Sequence, residues 1–258
     1  MKRLEPAITK ASISHEATKN GCGFMHPLSK TSIEFASYAA EIKIPVVDLG
    51  CAYGSASIQA AKLGAQQVLA CDMEHEHLQI LKARAAKDGI LPKISFKLGR
   101  FPENISFIPN TIGAVLASLV LAYLTKEELD IGLKSIFQWL EPGGKLFIVS
   151  YSIYIEEFSN AKFKKEYERR VNSNAKWPGY FEDFNEFSSI ANNNINTKSV
   201  PLRLHFFDIN PLTASLKDIG FEIETSEYLD GKTNGAVQET LYDGREMIGI
   251  IAKKPKKV

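Results

Sequence analysis

Two apolar runs in the first third of the chain end on an acid, and a glycine-rich turn follows the first of them. Pro45-Val46-Val47 leads into Asp48 and then Leu49-Gly50-Cys51-Ala52-Tyr53-Gly54, while the run that starts at Val68 closes on Asp72. Glycine at positions 50 and 54 lets the backbone turn tightly and come close to a ligand that a Cβ would push away. A carboxylate at the end of the following strand can accept hydrogen bonds from both hydroxyls of a ribose. Together these residue types point to the binding of a nucleoside cofactor. One Gly-rich turn is also an ordinary strand-to-helix connection, so the weight falls on the order of the elements around it.

Those elements follow from periodicity. From about Ile44 onward, apolar runs alternate with helical patterns, the mark of an α/β domain with a largely parallel sheet. Strands are expected at 44–49, 68–72, 94–98, 112–118 and 145–150, with helices at 55–63, 74–88 and 126–140. In the 74–88 helix, Leu78, Leu81 and Ala85 fall near one face. Pro142, Gly143 and Gly144 supply the dihedrals of a sharp turn ahead of the fifth strand. Regularity then breaks, and an insertion is expected at about 151–205, with a basic helical stretch at 162–170. A helix at 210–219 carries Pro211 at its start. Strands at 221–228 and 245–252 close the domain, the last after an Asp243-Gly244 turn. The basic tail at 253–258 is expected to be a solubilising end, and a helix at 30–42 to lie over the open end of the sheet.

Taken in order, the strand with Asp48, the turn to Gly54, the strand ending at Asp72 and the later Leu140-Glu141-Pro142-Gly143-Gly144 turn resemble the class I S-adenosylmethionine-dependent methyltransferases. The resemblance covers about 44–150 plus the closing helix and strands. It implies a Rossmann-like, seven-stranded, mostly parallel α/β sheet with helices on both faces, the last strand antiparallel and a helical insertion after the fifth strand. In that frame, 1–43 is an N-terminal helical segment or lid and 44–258 the methyltransferase domain. The implied cofactor is S-adenosylmethionine, released as S-adenosylhomocysteine. The cofactor-binding positions are Asp48, Gly50, Ala52, Gly54, Asp72, Met73, Gly99, Arg100, Phe101 and Ser118. Asp48 corresponds to the family's acid near the amino group of the methionyl moiety, and Met73 stands where it can pack on the adenine.

The chain departs from the family pattern at Leu98-Gly99-Arg100-Phe101, where many members place an acid that accepts a hydrogen bond from the adenine amino group. Arginine has donors only. Adenine recognition then falls to a backbone carbonyl, to stacking by Phe101, or to Glu103. A nicotinamide enzyme shares the strand, the turn and the acid. Its fingerprint needs glycine at the positions of Gly50, Ala52 and Ser55, two of which are not glycine.

Methyl transfer is an in-line displacement from a sulfonium, so orientation of the acceptor supplies much of the catalysis, and some such enzymes add a base. The groups in question should stand at the ends of the fourth and fifth strands. The candidates there are Tyr123, Tyr151 and His205, each of which has a packing role as its plainer reading. The fourth strand lacks the Pro-Pro-aromatic motif of base-amine methylation and the cysteine of cytosine ring methylation, and no acid stands near Ser118 to support a metal-assisted mechanism. No metal is expected; His75 and His77, two apart on a helix, do not share a face. Glu127-Glu128 and Glu156-Glu157 are similar to the paired glutamates of arginine methyltransferases, but the first pair opens a helix, where acids favour the dipole. Aromatics crowd the insertion, among them Phe163, Trp177, Tyr180 and Phe181, and form a lid that excludes water, a satellite core, or both. The expected acceptor is a small molecule. A protein or RNA acceptor, suggested by the basic stretch and tail, and a cofactor-binding interaction protein without turnover are the alternatives.

Composition bounds the rest. With 258 residues, 45% hydrophobic and 24% charged, the chain can bury a full core without disulfides or metal. A formal net charge of +1 gives no general pull toward nucleic acid or anionic membrane. Three cysteines without metal or redox spacing read as reduced thiols. The charged N-terminus lacks the apolar core of a signal peptide and no run is long enough to span a bilayer, so a cytoplasmic protein is expected.

Overall fold

The computed structural model describes residues 18–19, 25, 27–155, 161–183, 187, 203–230 and 243–256. Ser29 caps the first helix, α1 (Lys30–Glu41), by accepting the Ser32 N–H at 3.1 Å. Its buried positions Thr31, Ser32, Phe35, Ala36 and Ala39 recur at helical spacing and make one face. Then follow β1 (Val46–Leu49), α2 (Ser55–Leu63), β2 (Val68–Asp72), α3 (His75–Lys87), β3 (Ile94–Leu98), β4 (Ile112–Ser118), α4 (Lys126–Trp139) and β5 (Leu140–Tyr151). The insertion supplies α5 (Ala161–Asn172), β6 (Tyr180–Phe181) and β7 (Leu204–His205). The chain closes with α6 (Ile209–Ile219), β8 (Glu222–Leu229) and β9 (Met247–Lys253).

Seven strands form one sheet in the order β3-β2-β1-β4-β5-β9-β8. β9 runs antiparallel to both neighbours and every other pairing is parallel. This is the Rossmann-like arrangement expected, with the last strand antiparallel. Strand order reverses between β1 and β4, and such a switch point opens a crevice at the carboxyl ends of the strands. All of β1 is buried, as a central parallel strand covered on both faces must be. Alternation splits it: Val46 joins α1, α2 and α3 on one face, while Val47 and Leu49 join α4 and α6 on the other.

Three expectations are corrected. The fifth strand begins at Leu140, not Lys145: Leu140 pairs with Ile112 and Lys145 with Ala114, so Glu141 to Gly144 is a bulge inside one long strand. Glycine at 144 relieves a tight spot, where a Cβ would lie 3.0 Å from the carbonyl oxygens of Glu141 and Gly113. The α1 helix lies along a face of the sheet, with Phe35 edge-on to Phe147 of β5 at 5.6 Å, and only its first turn, at Ser32, reaches the open end. In the basic tail, Lys254 is tied down: its Nζ donates to the carbonyls of Phe137 and Leu140 at 2.8 Å each and to Asn110 Oδ1 at 2.9 Å. It thus closes the last turn of α4, where a cation complements the helix dipole.

The described part of the insertion is a small aromatic core. Phe163 stacks on Phe181 with ring centroids 4.6 Å apart and meets Phe206 edge-on at 5.3 Å. Trp177 anchors this cover to α4 by donating its Nε1–H to Asp130 at 3.0 Å. Asp208, which caps α6, accepts the hydroxyls of Tyr167 at 3.0 Å and Tyr228 at 2.6 Å, joining α5 to β8. Among the described residues, no helix is long and apolar enough to cross a membrane. Cys22, Phe158, Phe184 and the Glu156-Glu157 pair lie outside the described residues.

Candidate functional site

The carboxyl ends of β1, β2 and β4 open onto a cleft of about 500 Å³. Asp48, Gly50, Ala52, Asp72, Met73, Gly99, Arg100, Phe101, Ser118, Tyr123 and Tyr151 all reach its wall; Gly54 and His205 do not.

The loop after β1 is built from three residues in the left-handed region, Gly50 at φ 63°, Ala52 at φ 46° and Gly54 at φ 75°. Only glycine takes such angles without strain, so Ala52 is held there by its neighbours. Its N–H donates to Asp72 Oδ2 at 2.8 Å. Gly54 faces away from the cleft, and a Cβ there would sit 2.1 Å from Leu81 Cδ1. Its smallness therefore serves the seating of α2 against α3 and not the approach of a ligand.

Asp72 is the hub. Besides Ala52, it takes the Glu74 N–H at 2.8 Å and His77 Nδ1 at 3.1 Å, both on Oδ1. These bonds fix the carboxylate toward the β1 loop. Asp48 sits deeper, 3% exposed, with Oδ2 accepting the Ser57 N–H at 3.1 Å and the Ser57 hydroxyl at 2.6 Å. One of the unpaired N–H groups of α2's first turn is thereby satisfied. Its Oδ1 takes no hydrogen bond from the described residues. Burial pushes the Asp48 carboxyl up to about 6, against the pull of the two Ser57 hydrogen bonds.

Where the cleft borders β2 and β3, Met73 is 59% exposed and belongs to the rim, not to the core. Phe101 is only 5% exposed. Its ring is wedged against Gly132, where a Cβ would lie 2.6 Å from Cζ, and meets Trp139 edge-on at 6.0 Å. It lines the cleft without a free face for stacking. Arg100 donates to Glu128 Oε1 at 2.6 Å, and its own carbonyl accepts the Asn104 N–H at 2.8 Å. Glu128 also completes the capping box of α4 with Thr125. The Arg100 hydrogen bond, helped by that box and by the charge of Arg203, holds the Glu128 carboxyl below its usual range.

Of the acceptor-side candidates, Tyr123 and Tyr151 reach the cleft and pack on the insertion core behind it. His205 is 1% exposed, stacked on Phe207 at 4.1 Å, and ringed by Trp177 and Tyr180 at 5.3 and 5.7 Å. Burial, with Lys126 nearby, drives its imidazole down to about 3. Buried away from the cleft, it has no access to an acceptor's proton, which removes it as a base.

Sequence reasoning missed three contributors. Arg203 lines the cleft and hydrogen-bonds the Tyr180 hydroxyl. Leu119, directly after β4, lines it at φ 61°, a strained conformation for leucine. His77 lines it beside Asp72. Leu28 and Met25, ahead of α1, and Ser32 in its first turn also border the cleft, so the N-terminal segment and the start of the helix contribute to its wall.

Comparison with known proteins places this geometry. Residues 46–144 match the family model described as a methyltransferase domain. Ribosomal protein L11 methyltransferase of Syntrophomonas wolfei subsp. wolfei is 29% identical over 123 residues, 48% of this chain and 38% of its own length. Protein arginine N-methyltransferase 1 of Saccharomyces cerevisiae is 26% identical over 189 residues, 69% of this chain and 51% of its own length. The chain thus spans about two fifths to one half of these curated relatives. Among solved structures, a SAM-dependent methyltransferase of Methanosarcina mazei superposes with a TM-score of 0.60 at 19% identity, covering 83% of this chain and 94% of that one.

Proposed function

We propose that this chain, of which residues 46–144 match a methyltransferase domain and whose fold is shared by a SAM-dependent methyltransferase, binds S-adenosylmethionine in the cleft beyond β1, β2 and β4 and methylates a small, partly apolar acceptor. The observation that supports this best is the pair of acids flanking one glycine turn. Asp72 is fixed at the loop by three hydrogen bonds with acceptor capacity to spare, and Asp48 keeps Oδ1 unengaged among the described residues. A diol matches the first and an ammonium the second. When bound, the cofactor supplies an activated methyl on a sulfonium, which leaves as a neutral thioether.

The chain's own residues orient and enclose. Asp48 holds the ammonium end, the Gly50 turn brings backbone close, and Leu119, Tyr123, Tyr151 and Arg203 bound the acceptor end. Arg100 is paired with Glu128 at 2.6 Å and Glu103 at 3.9 Å, while Arg203 brings a further guanidinium to the cleft wall beside the Tyr180 hydroxyl. An acceptor with an apolar body and one acidic group suits that end. With His205 outside the cleft, positioning carries the rate.

A protein acceptor is the second reading, favoured by the names of the relatives that match. The matched stretch in the L11 enzyme is under half of either chain. Glu128, already held by Arg100, does not stand free to grip a substrate guanidinium. The test is to incubate the protein with S-adenosylmethionine and separate panels of small acids and proteins, and to quantify S-adenosylhomocysteine. Turnover with a small acid supports the proposal. Turnover with protein alone, or none despite cofactor binding, overturns it.

A further inference from the structure

The strand order of the sheet decides which end of a nucleoside meets which residue. Asp48 stands on β1, Asp72 closes β2, and Arg100 follows β3, whose last residue, Leu98, pairs with Asp72. Neighbouring strands lie about 4.8 Å apart. In an adenosyl sulfonium the amino-acid chain leaves the ribose on one side of the diol and the base on the other. With the ammonium at Asp48 and the diol at Asp72, the base extends over the end of β3. Three charged side chains surround that end, Arg100, Glu103 and Glu128, and of these only Arg100 lines the cleft. A guanidinium has five N–H donors and no acceptor. One of them, on Nη1, is held by Glu128 Oε1 at 2.6 Å, and the side chain keeps 35% of its surface exposed, so donors remain for a ligand. The Arg100 carbonyl already accepts the Asn104 N–H at 2.8 Å. Met73, Phe101 and Ile105 add apolar side chains to the same wall. An amino group at C6 of a purine is a donor and meets a donor here. An oxo group on the same carbon is an acceptor and meets its complement.

We propose that Arg100 sets the base specificity of the cleft: its guanidinium donates to the six-position edge of the purine, so the site takes a 6-oxopurine nucleoside at least as well as the 6-amino one. The inference rests on the reading that S-adenosylmethionine occupies this cleft. It assigns affinity to the diol and ammonium contacts at Asp72 and Asp48, which both bases share, and leaves the adenine amino group without a side-chain acceptor. Glu128 serves the same task indirectly, since it holds the guanidinium in place while completing the capping box of α4.

Calorimetry on the full chain tests this by comparing S-adenosylhomocysteine with S-inosylhomocysteine, which differ only at C6 and in the proton on N1. Wild type is expected to bind the inosyl compound within about threefold of the adenosyl one, or more tightly, because one bond from a charged donor is gained. Arg100→Met removes the donors and keeps an unbranched stem. It should weaken the inosyl compound about tenfold and hold the adenosyl compound within about threefold. If that variant does not fold, Arg100→Gln serves: its amide carbonyl gives the amino group an acceptor and should tilt selection toward the adenosyl compound. A wild-type preference for the adenosyl compound beyond about threefold would show that an acceptor faces the base, and overturns the proposal. So does a variant that weakens both ligands by one common factor, or neither, because Arg100 then reads nothing at C6. If wild type binds neither compound, the functional reading itself falls and takes the inference with it.

Discussion

Replacing Asp72 by asparagine changes one oxygen to an amino group, and the local hydrogen bonds leave that amide no satisfactory orientation. If the NH₂ takes the place of Oδ2, it faces the Ala52 N–H, donor against donor, and the left-handed turn at Ala52 loses its tether. If it takes the place of Oδ1, His77 can switch tautomer to accept from it, but the Glu74 N–H is orphaned. Either way one backbone donor loses its partner at a site 6% exposed, which costs about 1–3 kcal/mol. Asp72→Asn should therefore unfold earlier in urea by that amount without any ligand present. It should also bind S-adenosylhomocysteine about 5–150-fold more weakly, because a neutral amide replaces the charged acceptor of the ribose hydroxyls, a separate loss of about 1–3 kcal/mol. Equilibrium unfolding and calorimetry on one preparation give both values. Unaltered unfolding would mean that the carboxylate does not hold the loop, and the reasoning about its spare acceptor site would fail with it.

Asp48 makes stability depend on pH. Its folded value near 6 lies above the ordinary carboxylate value of about 3.9, so its contribution is full below about pH 4 and is lost as pH rises through 6. The loss is on the order of 2–3 kcal/mol, and Asp48→Asn should flatten the urea-midpoint profile between pH 4 and 7. Cofactor affinity should rise over the same interval, because an ammonium needs the ionised acid. Gly179→Ala sets a Cβ 1.9 Å from the Phe206 carbonyl oxygen, which is backbone and cannot swing away; about 1–3 kcal/mol of destabilisation should appear in thermal melts. His205→Phe removes a buried nitrogen that has no partner and should keep turnover within about threefold, whereas loss of a true base costs about a hundredfold or more. Arg203→Gln should raise the KM of an acidic acceptor about tenfold and leave S-adenosylhomocysteine affinity unchanged in calorimetry, as expected for one lost charge-assisted bond.

Period-two and period-3.6 patterns carried most of the fold. The seven main strands and the helices flanking them stand within a few residues of where apolar runs put them, apart from the five-residue extension of β5. That miss has a physical origin: Pro142-Gly143-Gly144 has turn chemistry, and only the pairing of Leu140 with Ile112 shows that the sheet absorbs it as a bulge. An amphipathic pattern says that α1 buries one face but not what covers it. The cleft was legible where its residues sit at strand ends, as with Asp48, Asp72 and Ser118. Gly54 was a packing glycine in a motif that suggested ligand contact, and only Leu81, 27 positions away, reveals it. His77 drew attention as a failed metal partner of His75, because spacing along a helix is visible in sequence and its approach to a strand end is not. Arg203 reaches the cleft from the far side of the insertion, a contact that no local pattern encodes.

The account turns on where the adenosyl group sits, and a crystal structure of the protein saturated with S-adenosylhomocysteine tests that most directly. The account predicts the ribose hydroxyls against Asp72, the amino group against Asp48, and the thioether directed toward Tyr123 and Tyr151. A ligand held elsewhere on the chain, or in the cleft with its ribose turned away from Asp72, would contradict it.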